Sequence, residues 1–340
     1  MSISDHQIFD AGDVILQSGT VFPSMKLAYK TYGTLNSARD NAILYPTSFS
    51  AQHSDTEWLI QPGFALDPEK YFIIIPNLFG NGLSSSPSNT PGSFPMVTYH
   101  DAVAVQRRLV TEVFKIKTLA LVYGWSMGGA QAYHWAACHG DMAPRSAVVC
   151  ASARCSPYNR VFLEGVKAAL TSDPAWKDGI FVEQATIGMR VMGRVYAGWA
   201  LSHAFFRDEL WREGGFTSLE DFLVRNWDRN FARRHANDLM AQIRMWESGD
   251  ISQCDSFGGD FDKALAAVTG NILLMPGRTD RYFDVRDNAD EMPKLVNARS
   301  AMLKPIPSDY GHRAGNPMAI PADRAFLNAA IKDLLATSIG

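Results

Sequence analysis

Two hydrophobic patterns alternate along the chain and divide it into three stretches. In the first, short apolar runs trade places with helical periodicity. Residues 71–75 are continuously apolar and rich in Ile, as a strand buried on both faces requires. Residues 14–17 and 26–32 read as earlier strands. The second of these puts Leu27, Tyr29 and Thr31 on one face, which predicts an antiparallel edge strand with one wet side. Residues 41–45 form a short apolar strand stopped by Pro46. Val103, Val105, Leu109, Val110 and Val113 recur near helical spacing and predict a helix over 99–114. A strand at 118–123, a helix at 127–138 and a strand at 145–150 continue the rhythm. Such alternation implies a mostly parallel central sheet flanked by helices, an α/β fold.

The rhythm stops near residue 157. From there to 252 the chain is rich in helix formers, Trp, Met and Arg, with no clear strand pattern. It then resumes, with a strand at 271–275 ending at Pro276-Gly277, a helix at 284–294, a strand at 301–306 and a closing helix at 321–336. No Pro/Gly/Ser linker marks either junction. The expected organisation is therefore core (1–156), inserted helical cap (157–252) and core again (253–340).

Composition narrows the function. Hydrophobic residues make up 46%, enough for a large core. A net charge of −3, from 32 basic and 35 acidic residues, leaves no nucleic-acid footprint. Basic runs are short, and Arg233-Arg234 reads as a solvated helix face. Residues 1–13 are polar and acidic and do not resemble a secretory signal. Apolar runs fall far short of the ~20 residues of a membrane span. Cys138, Cys150, Cys155 and Cys254 form no CxxC pair, and no His stands at ligand spacing from them. They read as reduced thiols of a cytoplasmic protein with no metal site.

One segment carries chemistry. In Tyr123-Gly124-Trp125-Ser126-Met127-Gly128-Gly129, a buried strand runs through Gly-x-Ser-x-Gly into a helix. The turn strains Ser126 and exposes its hydroxyl, while glycines at 124 and 128 avoid collisions with neighbouring backbone. The helix N-terminus favours the negative charge that develops in acyl transfer. By average composition the five-residue pattern arises by chance on the order of once in ten such chains. The strand before it and the Ala-rich helix after it supply the context it needs.

A nucleophilic serine needs a base, and the base needs an orienting acid. His134 and His139 lie on or just after the nucleophile's helix, and His203 and His235 lie in the helical block. His312 alone follows a late strand, in a loop flanked by Gly311 and Gly315. Asp280, in the turn after strand 271–275, is the candidate acid. Asp284 is its rival and the better helix cap. Met127 supplies one oxyanion amide, and the loop at 45–50 supplies the other, from Phe49 or alternatively Ser48.

These segments resemble the homoserine O-acetyltransferase family of α/β-hydrolase fold proteins over nearly the whole chain. The match rests on residues 27–36, 71–77 and 119–129 and on the Asp280 and His312 loops. The first carries no catalytic chemistry, so convergence does not explain it. The resemblance implies an α/β-hydrolase fold, a Ser126–Asp280–His312 triad and a possible homodimer. Departures point to a branch of ester hydrolases within the family. The acyltransferases usually carry Asp directly after the catalytic His, where it holds an amino group. Here Arg313 occupies that place and would repel an ammonium. Trp125 replaces a small residue, and Pro46-Thr47 replaces a Cys-His pair. The expectation is a serine hydrolase of short acyl esters, acetyl above all, with no cofactor; the alternative is an acyl-CoA-dependent O-acyltransferase such as homoserine O-acetyltransferase. The hydrolase's partner is a small-molecule ester, bound in a pocket that includes Ser48, Trp125 and Arg313. Trp199, Phe205, Phe206, Trp211 and Trp227 are expected to roof that pocket.

Overall fold

The runs that are apolar at nearly every position become the centre of one sheet. The computed structural model describes residues 5–339. The eight strands of that sheet are β1 (Gln7–Asp10), β2 (Lys26–Tyr32), β3 (Ala42–Leu44), β4 (Phe72–Pro76), β5 (Leu121–Trp125), β6 (Arg145–Val149), β7 (Asn271–Met275) and β8 (Ser300–Leu303). They lie side by side in the order β1-β2-β4-β3-β5-β6-β7-β8. Only β2 runs against its neighbours, β1 and β4; every other pairing is parallel.

Strand alternation feeds two cores. Phe72, Ile74 and Val122 pack on one face of the sheet. Ile73, Ile75, Leu121 and Tyr123 pack on the other. The Tyr99–Arg108 and Met127–Cys138 helices cover the first face, and Leu327, Ile331 and Leu334 of the Pro321–Leu335 helix cover the second. Burial from both sides is why the central strands read as unbroken apolar runs.

Three early expectations change. β2 is antiparallel, but it is not an edge. β1 lies outside it, and Leu27, Ala28 and Tyr29 are all buried. β1 escaped notice because Phe9 is its one buried residue, too little for a periodic signal. Val14–Ile15 does form a strand, but it pairs with Val21–Phe22 in a separate two-stranded ribbon.

Between β6 and β7 the chain runs through the Pro157–Thr171, Thr186–Ala200 and Ala236–Glu247 helices, with shorter turns between them. A small ribbon, Trp176–Lys177 with Ile180–Phe181, interrupts the helices. Its strands are two residues each, too short to show a period. An antiparallel bridge between Arg154 and Asp250 draws the ends of this stretch together. Phe162, Tyr196, Phe231 and Trp246 from these helices join the core of the first face. Arg233 is exposed, as a solvated face predicts, but the Arg234 side chain is only 10% exposed; both pair with Asp55. A carboxylate far away in sequence partners Arg234 where it is buried.

Candidate active site

β5 ends at Trp125, and the next helix begins at Met127, so Ser126 must turn the chain alone. It does so at φ +58°, ψ −128°, a region costly to any residue with a Cβ, by about 1–3 kcal/mol. Three features hold it there. The Ser126 amide donates to Val149 O at 2.9 Å, and the Ser126 carbonyl accepts from Ala130 N. A Cβ at Gly124 would fall 2.0 Å from Gly128 O, and one at Gly128 would fall 2.5 Å from Pro46 O. Only glycines let strand, helix and the loop after β3 meet this closely.

That loop is organised around the same helix. Gln131 Nε2 donates to Thr47 O, and the Ser48 hydroxyl donates to Trp125 O. Within the loop the amides of Thr47, Ser50 and Ala51 are committed, to Pro76 O, Gln242 Oε1 and Ser48 O. The amides of Ser48 and Phe49 find no acceptor among the described residues. Met127 opens the helix, so its amide belongs to the first turn, whose N–H groups have no intrahelical partner. The loop and the helix start thus bring candidate oxyanion donors together from both sides.

His312 sits in the Gly311–Gly315 turn, and Asp280 follows β7. They are 32 residues apart, yet His312 Nδ1 lies 2.7 Å from Asp280 Oδ2. The other Asp280 oxygen accepts from the amides of Tyr282, at 2.8 Å, and Phe283, at 3.3 Å. The carboxylate is thereby fixed in rotation, and its side chain is fully buried. Asp284 instead caps the next helix, accepting from Arg286 N. The imidazole is walled by Trp125, Tyr282 and Phe283, with ring centroids 5.0, 4.8 and 5.7 Å away. Trp125 Nε1 also donates to His312 O. The remaining ring nitrogen, His312 Nε2, is buried without a partner among the described residues.

Ser126 and His312 both line a cavity of about 410 Å³, a size that suits a small ligand. Ser48, Phe49, Trp125 and Arg313 line it too, so most of the expected pocket residues converge. Of the five expected roof aromatics, Phe205, Trp211 and Trp227 face the cavity. Trp199 does not; it packs on Tyr158 and Phe162. Phe206 packs on Phe205 and Phe222. Helical spacing gives an aromatic's position but not which neighbour it meets. Tyr196, Phe222, Phe231 and Asn226 also line it and carried no sequence signal. Phe49 stacks on Tyr196 at 5.7 Å.

Of three groups of metal-donor side chains among the described residues, one of them Asp5, His6 and His53, two involve the cysteines. Cys150, Asp280 and His312 lie close together. However, His312 Nδ1 and Asp280 already bond each other, and burial holds the Cys150 thiol well above its usual range, so it stays protonated. The second group is His100, Cys138 and Cys254, with donor atoms within 4.8 Å of one another. Cys138 ends the helix that Met127 begins, a full helix length from Ser126. Linear spacing could not reveal that grouping.

The α/β hydrolase fold pattern matches residues 45–313, most of the chain. This chain belongs to the α/β-hydrolase fold family. Among its relatives is the ethyl acetate hydrolase of Pseudomonas veronii, 36% identical over 314 residues, covering 90% of this chain and 88% of that protein. The structure of the acetyl esterase MekB superposes with a TM-score of 0.93 at 34% identity, covering 98% of this chain and 97% of that one. A homoserine O-succinyltransferase of Methylibium petroleiphilum is more distant, at 29% identity over 88% of this chain and 86% of its own length. This α/β hydrolase is therefore more similar to these ester hydrolases than to that acyltransferase, as its departures from the acyltransferase pattern anticipate. Among the described residues, no helix is long and apolar enough to cross a membrane.

Proposed function

We propose that this α/β hydrolase cleaves short acyl esters, acetates first, through an acyl-enzyme on Ser126. One observation carries the reading. A strained serine and a buried imidazole, the latter held by a carboxylate at 2.7 Å, line one small cavity. The names of the ester-hydrolysing relatives support the same chemistry.

In the proposed mechanism His312 Nδ1–H donates to Asp280, which leaves Nε2 free to accept a proton. Ser126 Oγ attacks the ester carbonyl as Nε2 takes its proton. The Met127 amide, with that of Phe49 or Ser48, stabilises the oxyanion. The imidazolium then protonates the departing alcohol, leaving an acyl-serine. Water attacks that ester, giving its proton to Nε2, and the acid leaves as Ser126 is restored. Residues 157–252 act as a cap that closes the cavity over Ser126. Arg234 and Gln242 of this cap fasten the oxyanion loop, through Ser50 O and Ser50 N. The four unpaired cysteines suit a reducing, cytoplasmic setting.

The test is acid release from p-nitrophenyl acetate and ethyl acetate by wild type and Ser126→Ala, with and without homoserine. Serine-dependent hydrolysis indifferent to homoserine is expected. Acetyl transfer from acetyl-CoA to homoserine, with negligible hydrolysis, would overturn the reading.

A further inference from the structure

The cavity wall beside His312 is chemically lopsided. Arg313 follows the imidazole directly and faces the same cavity. Its guanidinium donates to Asn226 Oδ1 at 2.8 Å and lies 5.2 Å from the centre of the Trp227 ring. Among the described residues no carboxylate lies within ion-pair distance of it. The nearby acids of the cavity are engaged elsewhere. Asp55 is held by Arg233 and Arg234, and Glu213 by the Tyr310 hydroxyl. Surrounding protein pushes the guanidinium down to about 10, so it remains a cation at neutral pH.

Its neighbours are unsatisfied in the same sense. Asn226 Nδ2 and Trp227 Nε1 are buried donors without an acceptor among the described residues. Guanidinium, amide and indole N–H groups therefore cluster on one wall, and Asn226 Oδ1 is already used by the guanidinium. A half-buried cation with open donors favours a ligand that completes it. A planar guanidinium fork is matched by a carboxylate.

We propose that Arg313, fixed by Asn226 and Trp227, is a specificity-determining subsite for a carboxylate carried by the substrate. The preferred esters are then short and anionic, with a free carboxylate a few bonds from the scissile carbonyl. This inference rests on the ester-hydrolase reading of Ser126. It leaves open one structural choice that experiment separates: the carboxylate sits on the acyl side, as in monoethyl succinate, or on the alcohol side, as in acetoxyacetate.

The experiment compares kcat/KM for each acid with that of its neutral counterpart, diethyl succinate or ethyl acetoxyacetate, in wild type, Arg313→Gln and Arg313→Lys. Wild type should favour at least one anionic ester by about tenfold or more. Arg313→Gln should abolish that ratio, and Arg313→Lys should retain part of it, as a charge without the fork does. The pair showing the preference identifies the side. Should the variants fail to fold, titration calorimetry of wild type with succinate and with succinamide reads the same subsite. Succinate should bind and succinamide should not. Wild-type ratios near one, or ratios that survive Arg313→Gln, would overturn the inference while leaving the hydrolase reading intact. Binding of succinamide as tight as that of succinate would do the same. Failure to hydrolyse any ester would instead sink the hydrolase reading, and the calorimetry would still judge the carboxylate site.

Discussion

Replacing Asp280 by Asn changes one atom type and should nearly silence the enzyme. The carboxylate makes two kinds of bond. One oxygen accepts from Tyr282 N and Phe283 N, and the other accepts from His312 Nδ1. The two backbone donors cannot adapt, so the Asn carbonyl oxygen must face them. Its NH2 group must then face His312 Nδ1 and donate to it. That makes Nδ1 an acceptor and forces the imidazole proton onto Nε2, the atom meant to receive the Ser126 proton. Loss of the right tautomer costs about ten-thousandfold in other serine hydrolases, or about 5 kcal/mol of transition-state stabilisation. The assay is kcat/KM for p-nitrophenyl acetate, beside a thermal melt. Shape and packing barely change, so Tm should fall by only a few degrees. A variant within tenfold of wild type would refute the tautomer argument.

Three further outcomes follow from packing and charge. Gly124→Ala drives a Cβ to 2.0 Å from Gly128 O, and backbone must move. We expect a loss of about 3 kcal/mol or more in denaturant melts, and a normal melting curve would contradict the elbow geometry. Arg234→Ala strips Ser50 O of its donor and Asp55 of one partner, while Arg233 still pairs with Asp55. It should destabilise by about 2 kcal/mol and lower kcat/KM by loosening the oxyanion loop; unchanged kinetics would remove that positioning role. Glu291 is buried at the end of the Val285–Glu291 helix, accepting from Ala153 N and Asn288 Nδ2, and burial raises its carboxyl from 4.5 to about 7. The folded state therefore holds this proton when the unfolded chain has lost it, and stability falls as pH rises from about 4.5 to 7. Glu291→Gln should flatten that part of the Tm–pH profile; a profile of unchanged slope would exclude Glu291 as its source.

How much of this was legible depended on range. β4 and β5 are buried on both faces, so each residue testified to the same environment. Ser126 was legible because the strained turn needs its glycines within two positions. Asp280 and His312 were found from their places after late strands, since each loop must deliver its residue to the same sheet edge. β1 was silent because one buried Phe9 makes no period. Phe206 and Trp199 were misplaced, and Arg234 was taken for a surface charge, because their partners lie far off in sequence. The open donors around Arg313 were invisible for the same reason. A side chain's charge is written in the sequence, but the absence of a partner is a property of the fold.

The central claim is that Ser126 becomes acylated. The most direct measurement is rapid-quench mass spectrometry of the intact protein during turnover of p-nitrophenyl acetate, followed by peptide mapping. The account predicts one acetyl group, on the peptide bearing Ser126, absent in Ser126→Ala. It should accumulate in Asp280→Asn if deacylation slows more than acylation. Robust hydrolysis by Ser126→Ala, or acetyl carried on another residue with Ser126 unmodified, would contradict it.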